Sequence, residues 1–107
     1  MPNNSFIIIS TTVDKRETAN LIIQKLLEKK LIACAQLSEP IQSTFPWKGK
    51  IETTQEWLCT FKSKNDLFQD IESIINQYHS YDTPEIIATP ITNLSTSYRN
   101  WLKNNLK

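Results

Sequence analysis

The sequence predicts an α+β fold, a ferredoxin-like βαββαβ plait with an antiparallel sheet, a long hairpin between the second and third strands, and a C-terminal helix. Three observations lead there. Apolar runs alternate with two stretches of helical periodicity, in the order strand, helix, strand, strand, helix, strand. The middle two strands are joined by a short turn, which makes them a hairpin. The 107 residues fit one domain, 1–107, with a modest core.

Phe6 to Thr12 reads as the first strand. Its apolar residues run continuously, so both faces need cover. Asp14, with Glu17 three residues on, is a capping-box start for the first helix. Ala19, Ile22, Ile23, Leu26 and Leu27 then form one apolar stripe, and Glu28, Lys29 and Lys30 end it. Ile32 to Phe45 reads as the second strand, with a bulge or an edge position at Pro40, which has no N–H to donate. Phe45 to Lys50 is the turn, with Gly49 at its tip. Ile51 to Lys62 is the third strand, with Trp57, Cys59 and Phe61 on one face. Ser63 and Asp66 form a second capping-box start. Leu67, Phe68, Ile71, Ile74, Ile75 and Tyr78 line the second helix. His79 to Pro84 is a loop, Glu85 to Ile91 the fourth strand and Thr96 to Lys103 a closing helix.

Composition narrows the function. Net charge is +1, with both signs interspersed, so no basic footprint for nucleic acid exists. Exposed aromatics beside Gly on the central strands, the RNA-binding signature of the same strand order, are missing. A single glycine, Gly49, leaves no phosphate-binding loop. The longest early apolar run, Phe6 to Ile9, is far short of the ~20 residues of a membrane span. Met1 to Asn4 lacks a basic residue, so no secretory leader is expected and the expected location is cytoplasmic. Cys34 and Cys59 have no metal-type spacing and read as free thiols or, less simply, as a disulfide. Neither a paired-carboxylate nor a Ser-His-Asp arrangement is indicated, and Cys34 has no evident activating neighbour, so an enzyme is not expected.

Two arguments predict a homo-oligomer. Two helices cover one face of the sheet, while the first strand presents apolar groups to both. The hairpin strands are also long: twelve residues at ~3.3 Å span ~40 Å, against a radius of gyration near ~13 Å for a globule of this size. An overhanging hairpin exposes edges that a second copy would pair. Interruption of the strands at Pro40 and Thr53-Thr54 would instead let them fit within a monomer.

The chain resembles the CutA family of divalent-cation tolerance proteins. The resemblance rests on Ala33-Cys34, on Trp47-Lys48-Gly49-Lys50-Ile51-Glu52, on Glu56 and Lys62, on His79-Ser80-Tyr81-Asp82-Thr83-Pro84-Glu85-Ile86, and on Tyr98 with Trp101-Leu102. It implies a compact homotrimer, PII-like in architecture, that tolerates or binds copper or another divalent cation. It also implies a cleft between subunits holding Glu56, Lys62 and Tyr81. The sequence departs from the family where Ser10 replaces a Cys found in some members, where Tyr78 replaces a second His, and where Glu39-Pro40 replaces Pro-Gly.

His79, the only histidine, is the first candidate metal ligand, with Glu85 beside it and Asp82 and Ser10 as weaker oxygen donors. The competing reading makes His79 a helix cap and pairs Glu85 with a lysine. Glu56 and Lys62 read either as a ligand-holding pair or as an ion pair that fixes subunit register. Trp47, Gly49 and Trp101 are expected at the interface, Trp47 as its anchor. Two functions stand side by side: a trimeric, non-enzymatic cation-binding tolerance protein, and a regulatory module that takes a small effector at the inter-subunit cleft.

Overall fold

The computed structural model describes residues 5–107, so the Met1–Asn4 stretch behind the no-leader expectation lies outside the described residues. In chain order the elements are β1 (Phe6–Val13), α1 (Arg16–Glu28), β2 (Cys34–Leu37), β3 (Ile41–Trp47), β4 (Lys50–Lys64), α2 (Phe68–Tyr78), β5 (Ile87–Pro90) and α3 (Thr96–Asn104). All strand pairings are antiparallel, in the order β2-β4-β1-β5, with β3 paired to the outer half of β4. No described helix is long and apolar enough to cross a membrane.

Strand alternation sorts the sheet into two faces. Ile7, Ile9 and Val13 of β1 and Cys59 and Phe61 of β4 are fully buried. They pack with Ala19, Ile22 and Leu26 of α1 and Ile71 and Ile75 of α2 into one core. The opposite face carries Ile8, Ser10, Leu58, Thr60 and Lys62, all only half-buried, while Ile87 of β5 is exposed. α3 crosses one end of it, where the Arg99 guanidinium lies 5.5 Å from the Phe6 ring centroid.

The strand expected over 32–45 is two strands. Ser38 still pairs with Leu58 through N–H to carbonyl at 2.9 Å, and its Oγ accepts from the Leu58 N–H at 2.9 Å. Regular pairing resumes at Ile41 opposite Glu56. Glu39 and Pro40 therefore face the single residue Trp57, which is a β-bulge at the proline that cannot donate. Beyond the bulge, β3 and the start of β4 form a free-standing arm, so the molecule measures 45 × 26 × 24 Å with a radius of gyration of 14.5 Å. The turn is tighter than expected. Lys48 and Gly49 alone form it, both at positive φ (52° and 79°), as a two-residue hairpin of primed type requires.

Neither expected capping box forms. Lys15, not Asp14, caps α1, without a side-chain bond; the Asp14 carboxylate is drawn away to the Ser80 hydroxyl at 2.7 Å. Ser63 lies inside β4 opposite Ile7, on the core face, and its buried Oγ donates to the Leu31 carbonyl at 2.6 Å. A 3-10 turn, Asn65–Leu67, separates it from α2. α1 ends in a Schellman motif: Lys30 N–H donates to Leu27 O and Leu31 N–H to Leu26 O, both at 3.0 Å, with Leu31 buried beneath. Lys30 holds the left-handed position, φ 57°, that glycine usually fills.

Lys30→Gly is therefore expected to raise stability by about 1 kcal/mol, since a non-glycine residue in this conformation costs roughly 1–2 kcal/mol. Ser63→Ala is expected to lower it by about 1–3 kcal/mol by leaving the Leu31 carbonyl unsatisfied. Urea unfolding at fixed protein concentration checks both.

Candidate functional site

A cleft of about 760 Å³ opens where the arm meets the body. The arm forms one wall. Ser43, Phe45 and Trp47 of β3 lie on the same face as their ladder partners Thr54, Glu52 and Lys50, and Glu56 continues that face toward the body. The end of β1, with Thr12 and Asp14, forms the floor. The loop after α2 supplies Tyr81, Asp82, Thr83 and Glu85. Five lining residues are acidic (Asp14, Glu52, Glu56, Asp82 and Glu85) and none is Lys, Arg or His.

The loop is held by His79, which caps the end of α2 and donates its own N–H to Ile75 O at 2.9 Å. Its ring spans two backbone groups. Nδ1 accepts the Tyr81 N–H at 3.1 Å, so the ring proton sits on Nε2, which donates to the Thr12 carbonyl at 2.8 Å. The Ser80 bond to Asp14 adds a second tie between the loop and the end of β1. Tyr81, its ring 4.8 Å from that of His79, then points its hydroxyl at Glu56 and donates to Oε2 at 2.7 Å.

Glu56 is 4% exposed, a charge nearly withdrawn from water. Among the described residues its recorded partner is Tyr81; neither ion pair there, Arg16–Glu39 nor Lys25–Glu28, includes it. Tyr81 responds to this setting. Burial first, then the hydrogen bond to Glu56 and the negative charges of Glu56 and Asp14, push its phenol far above the ordinary value.

The expected site residues separate into groups. Glu56, Tyr81, Asp82 and Glu85 share the cleft, with Trp47 at its arm end. His79 stands behind the wall with both ring nitrogens committed to backbone. Of its two expected roles, the structure displays the cap. Within one subunit Lys62 does not reach Glu56: six residues along one strand separate them by ~20 Å, and the Lys62 ammonium donates to Gln36 Oε1 at 2.9 Å. Ser10 lies mid-strand opposite Thr60 and Ile87, outside the cleft. Gly49 is in the hairpin turn, and Trp101 stacks on Tyr98 on α3, with ring centroids 5.6 Å apart. Cys34 and Cys59 are free thiols on opposite faces of the sheet, and burial pushes the Cys59 thiol up to about 11. Among the described residues, no three His, Cys, Asp or Glu side chains converge to hold a metal ion.

Sequence reasoning missed Asp14, assigned to a cap, and Glu52, which appeared only within a motif. The alternation Glu52, Thr54, Glu56 carries the signal that would have found Glu52.

A family model described as CutA1 divalent ion tolerance protein matches residues 7–105. The divalent-cation tolerance protein CutA of Thermotoga maritima is 36% identical over 100 residues, covering 94% of this chain and 98% of that protein. Protein CutA, chloroplastic, of Arabidopsis thaliana is 35% identical over 101 residues; the alignment covers 94% of this chain but only 56% of that longer protein. The crystal structure of CutA1 from Oryza sativa superposes with a TM-score of 0.93 at 30% identity, covering 98% of this chain and 96% of the other.

Tyr81→Phe is expected to destabilise the protein by about 1.5–3 kcal/mol, because it strips a buried carboxylate of its donor. The pH dependence has a definite sign. A phenol whose pKa rises on folding contributes its full stabilisation below its ordinary value of 10.0, and that contribution is lost as pH climbs above it. Glu56→Gln removes the Glu56 charge and leaves burial and the Asp14 charge. Tyr81 is then expected to ionise at lower pH than in the parent protein, as followed by phenolate absorbance.

Proposed function

The chain belongs to the CutA1 divalent ion tolerance protein family, and from that premise we propose that it is a non-enzymatic, homotrimeric, cytoplasmic cation-binding protein whose cleft weakly receives divalent metal ions. The observation that carries this reading is a concave surface lined by five carboxylates with no basic residue among them. The family match supplies the class of ion.

The donor chemistry favours particular ligands. Glu56, Asp82 and Glu85 offer oxygen only, which suits hard cations and offers copper no soft sulfur donor. His79 would have to release the Tyr81 N–H from Nδ1, and with it the shape of the loop, before it could ligate. Glu56 therefore replaces it as the first ligand in this proposal, and Glu85 and Asp82 remain. Because no three ligands converge among the described residues of one subunit, an ion here would keep several of its waters or draw a ligand from a second copy, and either arrangement gives weak binding.

The trimer is supported by the half-covered second face, by the free-standing arm and by Trp47 and Ile51 on it, which are 49% and 72% exposed. The strand order β2-β4-β1-β5 supports a ferredoxin-like plait. Free thiols suit a reducing compartment. A second reading, a PII-like module with a small effector in the cleft, is favoured by the cleft's size and its aromatic wall of Phe45, Trp47 and Tyr81.

Calorimetric titration with Mn²⁺, Zn²⁺ and Cu²⁺ tests the metal reading, with light scattering for the trimer. Glu56→Gln with Glu85→Gln is expected to weaken binding about tenfold or more, while His79→Ala, if still trimeric, binds as the parent does. Loss of binding in His79→Ala with retention in the carboxylate variant would overturn the assignment.

A further inference from the structure

From His79 to Ile86 the chain has no regular structure and is held in place by side-chain bonds. The His79 ring fixes its backbone: Nδ1 accepts the Tyr81 N–H at 3.1 Å, and Nε2 donates to the Thr12 carbonyl at 2.8 Å. These partners allow a single state of the ring. A carbonyl can only accept and a backbone N–H can only donate, so one nitrogen must carry a proton and the other a lone pair. The imidazolium carries a proton on both and would set an N–H against the Tyr81 N–H. Histidine side chains ordinarily change charge between about pH 5 and 8, and His79 is half-buried, within reach of solvent.

The bond at risk controls more than one contact. Tyr81, placed by it, turns its hydroxyl to Glu56 at 2.7 Å and caps a carboxylate that is 4% exposed. The bond to Thr12 survives protonation, because Nε2 donates in both states. The ring therefore stays on β1, and the loop is what moves. The charged groups set around this strut come from four elements. They are Asp14 at the end of β1, bonded to Ser80 at 2.7 Å, Glu56 of β4 behind Tyr81, Lys25 of α1, 5.9 Å from the Tyr78 ring centroid, and Asp82 and Glu85 on the loop itself. Four of the five are carboxylates, acceptors for an imidazolium N–H once Tyr81 has moved.

We propose that His79 is a proton-operated latch: neutral, it holds the loop closed with Tyr81 on Glu56, and a proton taken from solvent onto the Nδ1 lone pair releases Tyr81 and opens the mouth of the cleft. This goes beyond the metal reading and does not depend on what the cleft binds.

Nuclear magnetic resonance on the full chain, without ligand and from about pH 8 down to about pH 5, tests it. The ring-nitrogen shifts of the chain's one histidine report its proton directly. Hydrogen exchange at the Tyr81 amide, taken relative to an unstructured peptide at each pH, reports the latch. At the alkaline end the ring is expected neutral, with its proton on Nε2. On acidification the protection of Tyr81 falls about tenfold or more, with the same midpoint as the ring. The amide of Ile9, paired on both sides of β1, keeps its protection. His79→Gln gains no proton in this range and shows no step, whichever bonds it retains. Asp14→Asn keeps the step, which separates it from titration of that carboxylate. Tyr81 protection that stays constant while the ring titrates overturns the proposal. So does a ring that stays neutral at the acid end, or one whose proton sits on Nδ1 at the alkaline end. A step of equal size in His79→Gln, one lost in Asp14→Asn, or one shared by Ile9, which would be global unfolding, overturns it as well.

Discussion

The pairing of β4 with β1 and β2 along one half and with β3 along the other is the constraint on which the rest of the molecule depends. Its inner half lies beside β1 from Trp57 opposite Val13 to Lys64 opposite Phe6, and its outer half beside β3 from Glu56 opposite Ile41 to Lys50 opposite Trp47. One continuous strand thus belongs to a packed core at one end and to an exposed ribbon at the other. The change of character falls between Glu56 and Trp57, where the proline bulge lies opposite. Inside that point, alternation buries Cys59 and Phe61 under the helices. Outside it, the same alternation sets Glu56, Thr54 and Glu52 along a cleft wall. The candidate site lies where it does because the arm leaves the body there.

His79 and Tyr81 show how a loop without regular structure acquires a fixed shape. An imidazole bonded to backbone at both nitrogens works as a strut between the end of β1 and the loop, and the phenol it positions reaches a buried carboxylate. Such a network is well defined only while every member is satisfied. Here one end of it is the Glu56 carboxylate, which pairs with no cation among the described residues and lies on the cleft wall and not in the core.

Much of the fold was legible because its signals are local and periodic. The stripe Ala19, Ile22, Leu26 and the alternation Trp57, Cys59, Phe61 each imply a buried face, and Pro40 marks its bulge through a missing donor. The capping boxes misled because the same short polar side chains serve long-range contacts: Asp14 answers Ser80 across 66 residues and Ser63 answers Leu31 across 32. The resemblance directed attention to Glu56, Tyr81, Asp82 and Glu85, which do share a cleft. It could not reveal that His79 is consumed by backbone, since nothing in a sequence places Thr12 O beside an imidazole 67 residues away. Lys62 and Glu56, grouped in a cleft between subunits, lie ~20 Å apart along one strand, so a meeting of the two would be between copies.

The bulge has an implication for how the arm can vary among relatives. Glu39 and Pro40 together oppose one residue, so the bulge takes up one residue of the chain without disturbing the ladder beyond it. Losing either one would restore one-to-one pairing at Trp57 and leave Ile41 opposite Glu56, so Ser43, Phe45 and Trp47 would keep their side of the ribbon. A single deletion at the bulge should therefore be tolerated, whereas a one-residue change between Ile41 and Trp47 would slip the ladder and exchange the aromatic wall for a polar one, even though that segment touches little of the core.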